Sequence, residues 1–161
     1  NDIEPLSLEI LSFTDSDEAR KAKLIRDNIL IGLMEFTQYE MLDEVVPINK
    51  FAELIHYTKG LQEKHGLRVL NFGHSGDGNV HTILMRGDLT DEEWQTRRKA
   101  LLDDLYIKVK ELGGLPSAEH GIGTVKKPYL EEMTDDVNLQ YMRKIKEIFD
   151  PENRLNPGKL F

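Results

Sequence analysis

No cysteine occurs among the 161 residues. Disulfides, iron–sulfur ligation within this chain, cysteine catalysis and Cys-type zinc sites are thereby excluded. No apolar run approaches the length of a membrane span, and the mean hydropathy is −0.47, so no transmembrane helix is expected. Basic residues are in deficit, 21 against 29 acidic ones, for a net charge of −8 with no basic cluster. Such a chain is a poor partner for nucleic-acid phosphates. The acidic start carries no secretory pattern, which makes a cytoplasmic location the expectation. What remains is a globular composition, 39% apolar and 31% charged, on a chain long enough to bury a core.

The periodicities alternate between strand and helix. Leu6, Leu8 and Ile10 alternate with Ser7 and Glu9, which predicts a half-buried strand over Leu6–Phe13. Thr14 to Asp17 supplies helix-start chemistry, and Ala22, Ile25, Ile29, Leu33 and Phe36 follow at helical spacing. Val45–Val46 before Pro47 is extended. A second helix carries Phe51, Leu54, Ile55 and Leu61 and stops at His65–Gly66. Strands over Leu67–Phe72 and Val80–Met85 flank Gly76-Asp77-Gly78-Asn79, and Asp-Gly favours the centre of a tight hairpin turn. Thr90 to Glu93 forms a capping box before a helix burying Trp94, Leu101, Leu105 and Val109. A final helix is expected to bury Met142, Ile145 and Phe149 before Pro151. This order predicts one α+β domain over 1–161: an antiparallel sheet with helices packed on one face, close to a ferredoxin-like arrangement.

The stretch Gly73-His74-Ser75-Gly76-Asp77-Gly78-Asn79-Val80-His81 carries the chemistry. A two-residue turn at Asp77–Gly78 would set His74 directly opposite His81, with Cβ atoms about 4.5–5.5 Å apart. Two imidazoles so placed can converge on one ion. Glu119, in Ser117-Ala118-Glu119-His120-Gly121-Ile122-Gly123, is the candidate third ligand. Two histidines and one carboxylate leave open positions, as a catalytic metal requires, and suit Zn²⁺ best, with Mn²⁺ or Fe²⁺ as alternatives. Adjacent side chains seldom point the same way, so His120 is expected to face substrate as a general base rather than to serve as a ligand. The same residues also read as an ordinary turn bearing exposed histidines, and spacing alone leaves both readings standing. His56, His65, Arg26 and the pair Lys126–Lys127 read as solvated surface.

Three ordered blocks carry a resemblance: Asn71 to His81; Gly113–Gly114 with Ser117 to Gly123; and Phe149-Asp150-Pro151 with Leu155-Asn156-Pro157-Gly158-Lys159. Together they resemble the C-terminal domain of FAD-linked oxidases of the vanillyl-alcohol oxidase type. This is the branch containing D-lactate dehydrogenase, the glycolate oxidase FAD subunit and D-2-hydroxyglutarate dehydrogenase. The resemblance implies a cap over the isoalloxazine of an FAD held mainly by a separate domain, and oxidation of a D-2-hydroxy acid to a 2-oxo acid with hydride passing to the flavin. It implies a divalent metal, typically zinc, at His74, His81 and Glu119, a proton-accepting His120, and Asn156 near the flavin. Arg26 matches a family arginine that pairs with a substrate carboxylate. Met41 and Ile83 stand where some members carry Lys and Asn, which points to a smaller or more apolar hydroxy acid. A standalone metal-binding or ligand-sensing module without redox activity is the competing reading.

No FAD-binding domain lies in these residues, and the chain starts at Asn1 rather than at Met, so a fragment of a longer flavoprotein is expected. Its partners would be the 2-hydroxy acid and the FAD-binding domain of the same polypeptide. The isolated 161-residue chain should fold without flavin and fail to turn over substrate. Stoichiometric flavin absorbance on the purified chain would contradict this.

Overall fold

A computed structural model describes residues 12–161, so the strand expected over Leu6–Phe13 falls almost wholly outside the described residues. The chain divides into two units, Asn1–Thr37 and Gln38–Phe161. In the first, helix α1 (Ser16–Phe36) begins where the sequence places it. Its cap is Asp15, whose carboxylate accepts hydrogen bonds from the amides of Asp17 at 2.7 Å and Glu18 at 3.1 Å.

The second unit is built around one strand. Its elements are β1 (Tyr39–Met41), β2 (Glu44–Val45), a 3₁₀ turn at 48–50, α2 (Phe51–His65), β3 (Arg68–His74), β4 (Asn79–Met85), α3 (Asp91–Glu111), α4 (Lys127–Met133) and α5 (Asp136–Phe149). Every residue of β4 is buried. It pairs antiparallel with β3 along its whole length, while β1 and β2 share its other edge. This is an α+β architecture with a small, four-stranded antiparallel sheet among the described residues. Leu42, Val80 and Leu84 point to one face and meet Leu54 and Leu61 of α2 and Trp94, Leu101, Leu105 and Val109 of α3 in a single core. The capping box at Thr90 and Glu93 starts α3, and left-handed Gly66 ends α2, both as the sequence indicates.

Three expectations change. The hairpin closes two residues looser than a two-residue turn: His74 pairs with Asn79 and Phe72 with His81, leaving Ser75–Gly78 as the loop. The cause is Gly78, which takes part in the other edge of the sheet. Its carbonyl accepts from the Val46 amide at 3.0 Å. Its backbone, at φ 81°, lies so close that a Cβ there would meet the Val46 oxygen at 1.9 Å. Because side chains alternate with period two, a slip of two residues keeps both histidines on one face. Second, α5 exposes Ile145 and Phe149 and leaves Met142 half-buried, where a buried set was expected. Its apolar stripe faces away from the core. Third, His65 is no surface residue: its Nε2 lies 2.6 Å from Asp104 Oδ2, tying the end of α2 to α3.

Gly78→Ala should cost more than about 2 kcal/mol in urea denaturation, because a side chain adds both a left-handed penalty and a backbone clash. A variant as stable as the parent would show that the loop re-forms without the Gly78–Val46 contact.

Candidate functional site

The face of β4 opposite the core carries His81, and its neighbours assemble the site. In the register that β1 and β2 share, Asp43 falls opposite His81, and the two side chains approach with Oδ1 3.7 Å from Nδ1. Asp43 is fully buried. Its other oxygen, Oδ2, accepts from the Ser117 hydroxyl at 2.6 Å and from the backbone amides of Ala118, Glu119 and His120 at 3.0, 2.9 and 2.8 Å. The Ala118 amide also donates to the Asp43 carbonyl at 2.9 Å. Successive amides aimed at one oxygen make an anion nest of the 117–120 segment. Burial alone would raise this carboxyl's pKa. The Ser117 hydroxyl, the amides of His120 and Glu119 and the charge of Lys126 outweigh it and hold the pKa at about 2.

The nest turns the loop so that Glu119 and His120 both face the sheet. Glu119 Oε1 then lies 3.3 Å from His81 Nε2, 3.7 Å from His74 Nε2 and 3.8 Å from His120 Nε2. The His120 ring stacks on His81 with centroids 4.9 Å apart, and His74 meets His81 edge-on at 5.5 Å. The expected triad of His74, His81 and Glu119 is therefore brought together, with the histidines diagonal across the ladder rather than opposite. His120 converges as well, because the segment curls around Asp43 instead of running extended. The tightest donor group is Asp43, His81, Glu119 and His120, whose ligating atoms lie within 4.8 Å of one another.

This donor set could hold a divalent cation. Ligand atoms about 2.1 Å from a common ion in tetrahedral geometry stand roughly 3.4 Å apart, close to the separations around Glu119 Oε1. Those separations are too long for good hydrogen bonds. His81 Nδ1 and Asp43 Oδ1 are buried without a hydrogen-bond partner. That pairing is the one in which a carboxylate orients an imidazole whose other nitrogen ligates. Burial, and then the neighbouring His120, lower the His81 pKa against the raising effect of Asp43 and Glu119. The ring is thus kept in the neutral form a metal needs. The cluster opens outward: the His81 side chain is 7% exposed, that of His120 40% and that of Glu119 52%. Beside His120 runs a cleft of about 370 Å³ lined by Met41, Ile122, Lys126 and Lys159, among others.

Two further expected site residues belong to other segments of the chain. Arg26 belongs to α1 in the first unit, where its guanidinium pairs with Asp27 at 2.7 Å. Asn156 sits in the tail, at φ 48°, with its Oδ1 3.4 Å from Lys159 Nζ. Sequence reading missed Asp43 and misjudged Lys126. The latter is buried, with its ammonium 3.3 Å from Ser117 Oγ and 3.9 Å from Asp43 Oδ2. The only sequence signal was two consecutive acids, Asp43 and Glu44, inside an apolar extended stretch. Glu44 points to the core face, and neither of its carboxylate oxygens has a hydrogen-bond partner. Burial raises its pKa to about 8.

The chain belongs to the family of FAD linked oxidases, C-terminal domain, which it matches over residues 6–160. It is 44% identical over 118 residues to a D-lactate dehydrogenase of Anaerostipes hadrus, covering 73% of this chain and 25% of that protein. To a D-lactate dehydrogenase of Archaeoglobus fulgidus it is 40% identical over 147 residues, covering 91% and 32%. To the glycolate oxidase subunit GlcD of Bacillus subtilis it is 34% identical over 144 residues, covering 89% and 29%. The chain thus spans a quarter to a third of the length of these curated relatives. Among the described residues no helix is long and apolar enough to cross a membrane.

Asp43→Asn should lower stability at pH 7 by roughly 2–4 kcal/mol, since an amide cannot accept from the whole nest that a carboxylate satisfies. The carboxyl's folded pKa lies below its unfolded one, so its contribution is complete above about pH 4 and is lost as pH falls through about 2. Urea curves of parent and variant should therefore converge in acid. A constant gap down to pH 2 would rule out the charge as the cause.

Proposed function

We propose that this chain forms the substrate side of a flavin-dependent dehydrogenase that oxidises a D-2-hydroxy acid to the 2-oxo acid. The observation that carries the reading is the convergence of three imidazole nitrogens on Glu119 Oε1, with the His120 ring 40% exposed. The relatives' names, D-lactate dehydrogenase and glycolate oxidase subunit, support the substrate class.

On this reading His74, His81 and Glu119 hold a divalent ion, and zinc suits their nitrogen and oxygen donors. When bound, such an ion would supply charge that lowers the pKa of a substrate hydroxyl, and an FAD would supply the hydride acceptor. The chain's own residues supply position and a proton acceptor. Asp43 stands behind the His81 ring, 3.7 Å from Nδ1, and sets the loop that carries Glu119. Asp43 also fixes the backbone of His120, so that its Nε2 can take the hydroxyl proton as the α-hydrogen departs with its electron pair. Stacking on the buried His81 ring limits rotation of His120. General bases in such positions contribute about 10²–10⁴-fold in rate. The cleft beside His120, walled by Met41 and Ile122, suits a short or apolar substituent on the hydroxy acid.

The test uses the full-length protein. His120→Ala should slow reduction of the flavin by hydroxy acid by about 10²–10⁴-fold while the divalent-metal content stays at one per chain. His81→Ala should lose metal and activity together. A full-length protein without divalent metal, or a His120→Ala variant that reduces flavin at the parent rate, would defeat the assignment.

A further inference from the structure

Lys126 is a buried cation that the chemistry above does not use. It is 7% exposed, and an ammonium held out of water is costly unless it is paired. Its root is fixed. The Lys126 amide donates to the Ile122 carbonyl at 3.2 Å, and its carbonyl accepts from the Leu130 amide at 2.9 Å as α4 begins. That helix is seated by buried Tyr129 and Leu130, and the Tyr129 hydroxyl donates to Asp103 Oδ1 of α3 at 2.8 Å. The tip of Lys126 turns back nine residues to Ser117, with Nζ 3.3 Å from Oγ. The direction of each bond follows from the groups. A carboxylate only accepts, so the Ser117 hydroxyl donates to Asp43 Oδ2, 2.6 Å away. An ammonium only donates, so Ser117 Oγ accepts from Lys126. The result is a one-way chain from Lys126 through Ser117 to Asp43, and the Asp43 oxygen at its end also receives the Glu119 and His120 amides.

We propose that Lys126 is a positioning residue for this site: through Ser117 and Asp43 it ties the loop bearing Glu119 and His120 to α4. Its kinetic consequence rests on the function proposed above. The segment between Ser117 and Lys126 turns through left-handed Gly121 and Gly123, at φ 81° and 59°, where a Cβ would meet nothing within 4 Å. Close packing does not dictate those turns. The loop takes its course from its two ends and from the Leu160 amide, which donates to the Gly123 carbonyl at 3.0 Å. An apolar side chain of similar length would fill the place of Lys126 without desolvating a charge, so the ammonium adds direction rather than packing. Its charge acts on the same carboxylate as its hydrogen bond does, since Nζ lies 3.9 Å from Asp43 Oδ2. Lys126 borders the cleft beside His120, but only 9% of its side chain is exposed, which leaves the ammonium to Ser117 and Asp43 rather than to a ligand.

Hydrogen–deuterium exchange of the full-length protein, read residue by residue, tests this without recourse to activity. In Lys126→Met the Glu119 and His120 amides should exchange on the order of tenfold faster than in the parent, since the acceptor they share is freed to move. Amides of α2 and β4 should keep parental rates. Ser117→Ala should act alike, and adding Lys126→Met to it should change little, because the two act in series. With hydroxy acid, Lys126→Met should reduce flavin about 10–100-fold more slowly at saturation, with KM within about threefold of the parent, the mark of misplaced rather than missing groups. Parental exchange at Glu119 and His120 would overturn the proposal. So would additive effects of the two substitutions, or a raised KM at parental kcat, which would make Lys126 a substrate contact. Loss of protection throughout α2 and β4 in both Lys126→Met and Lys126→Gln would make it a general stabilising residue and overturn the proposal too. The readings fail separately. A full-length protein whose flavin is not reduced by hydroxy acid sinks the dehydrogenase reading, and exchange still decides Lys126. Parental exchange in a protein whose His120→Ala variant is slow sinks the role of Lys126 alone.

Discussion

The carboxylate of Asp43 joins two parts of the chain that lie 74 to 77 residues apart in sequence. One oxygen gathers a hydroxyl and three amides, and the other stands behind His81. Each contact of this kind to a charged acceptor is worth about 1.5–3 kcal/mol, and together they exceed the cost of burying the charge. Without it, β4 would still pack against the helices, because the core lies on the other face of the sheet. The loop bearing Glu119 and His120 would keep its backbone bonds through Leu115 and Ala118 but lose the acceptor of the Glu119 and His120 amides. The course of the candidate site's loop therefore depends on one polar interaction laid over an apolar core on the other face of the sheet.

The neighbouring acid shows how strongly local surroundings decide. Asp43 and Glu44 are adjacent, equally buried and on opposite faces of the sheet. Amides and a nearby ammonium hold the first carboxyl at about 2, while the second, with no partner on either oxygen, rises to about 8. One is an anchor with a permanent charge. The other is neutral through most of that interval, and it weakens the fold as pH climbs toward 8, because the unfolded chain ionises it first.

Much of this was legible in the sequence wherever the cause is local. Capping residues, the left-handed Gly66, the histidine hairpin and the 3.6-residue rows of α2 and α3 all act within a few positions. The meeting of His74, His81 and Glu119 also follows from motif order. The register of the hairpin was not legible, because it depends on Val46, which reaches Gly78 from a different strand. Asp43 and Lys126 escaped for the same reason: their partners are distant, and a charged residue in an extended stretch looks solvated until the fold closes over it. In α5 the row of apolar residues was visible. Periodicity identifies such a face but does not say whether this unit or another covers it.

The clamp also has a consequence for the order of assembly. His74 and His81 sit on two strands of a single hairpin and meet after a short loop closes. Glu119 and His120 arrive only when a segment of some seventy residues has closed back onto Asp43. By chain statistics that closure costs roughly 2 kcal/mol more than closing the hairpin, and it rewards the chain only when the nest forms. Topology thus sets a sequence of events in which His74 and His81 become neighbours early and Glu119 and His120 join last. A chain halted midway would present a histidine pair without Glu119 and His120 beside it.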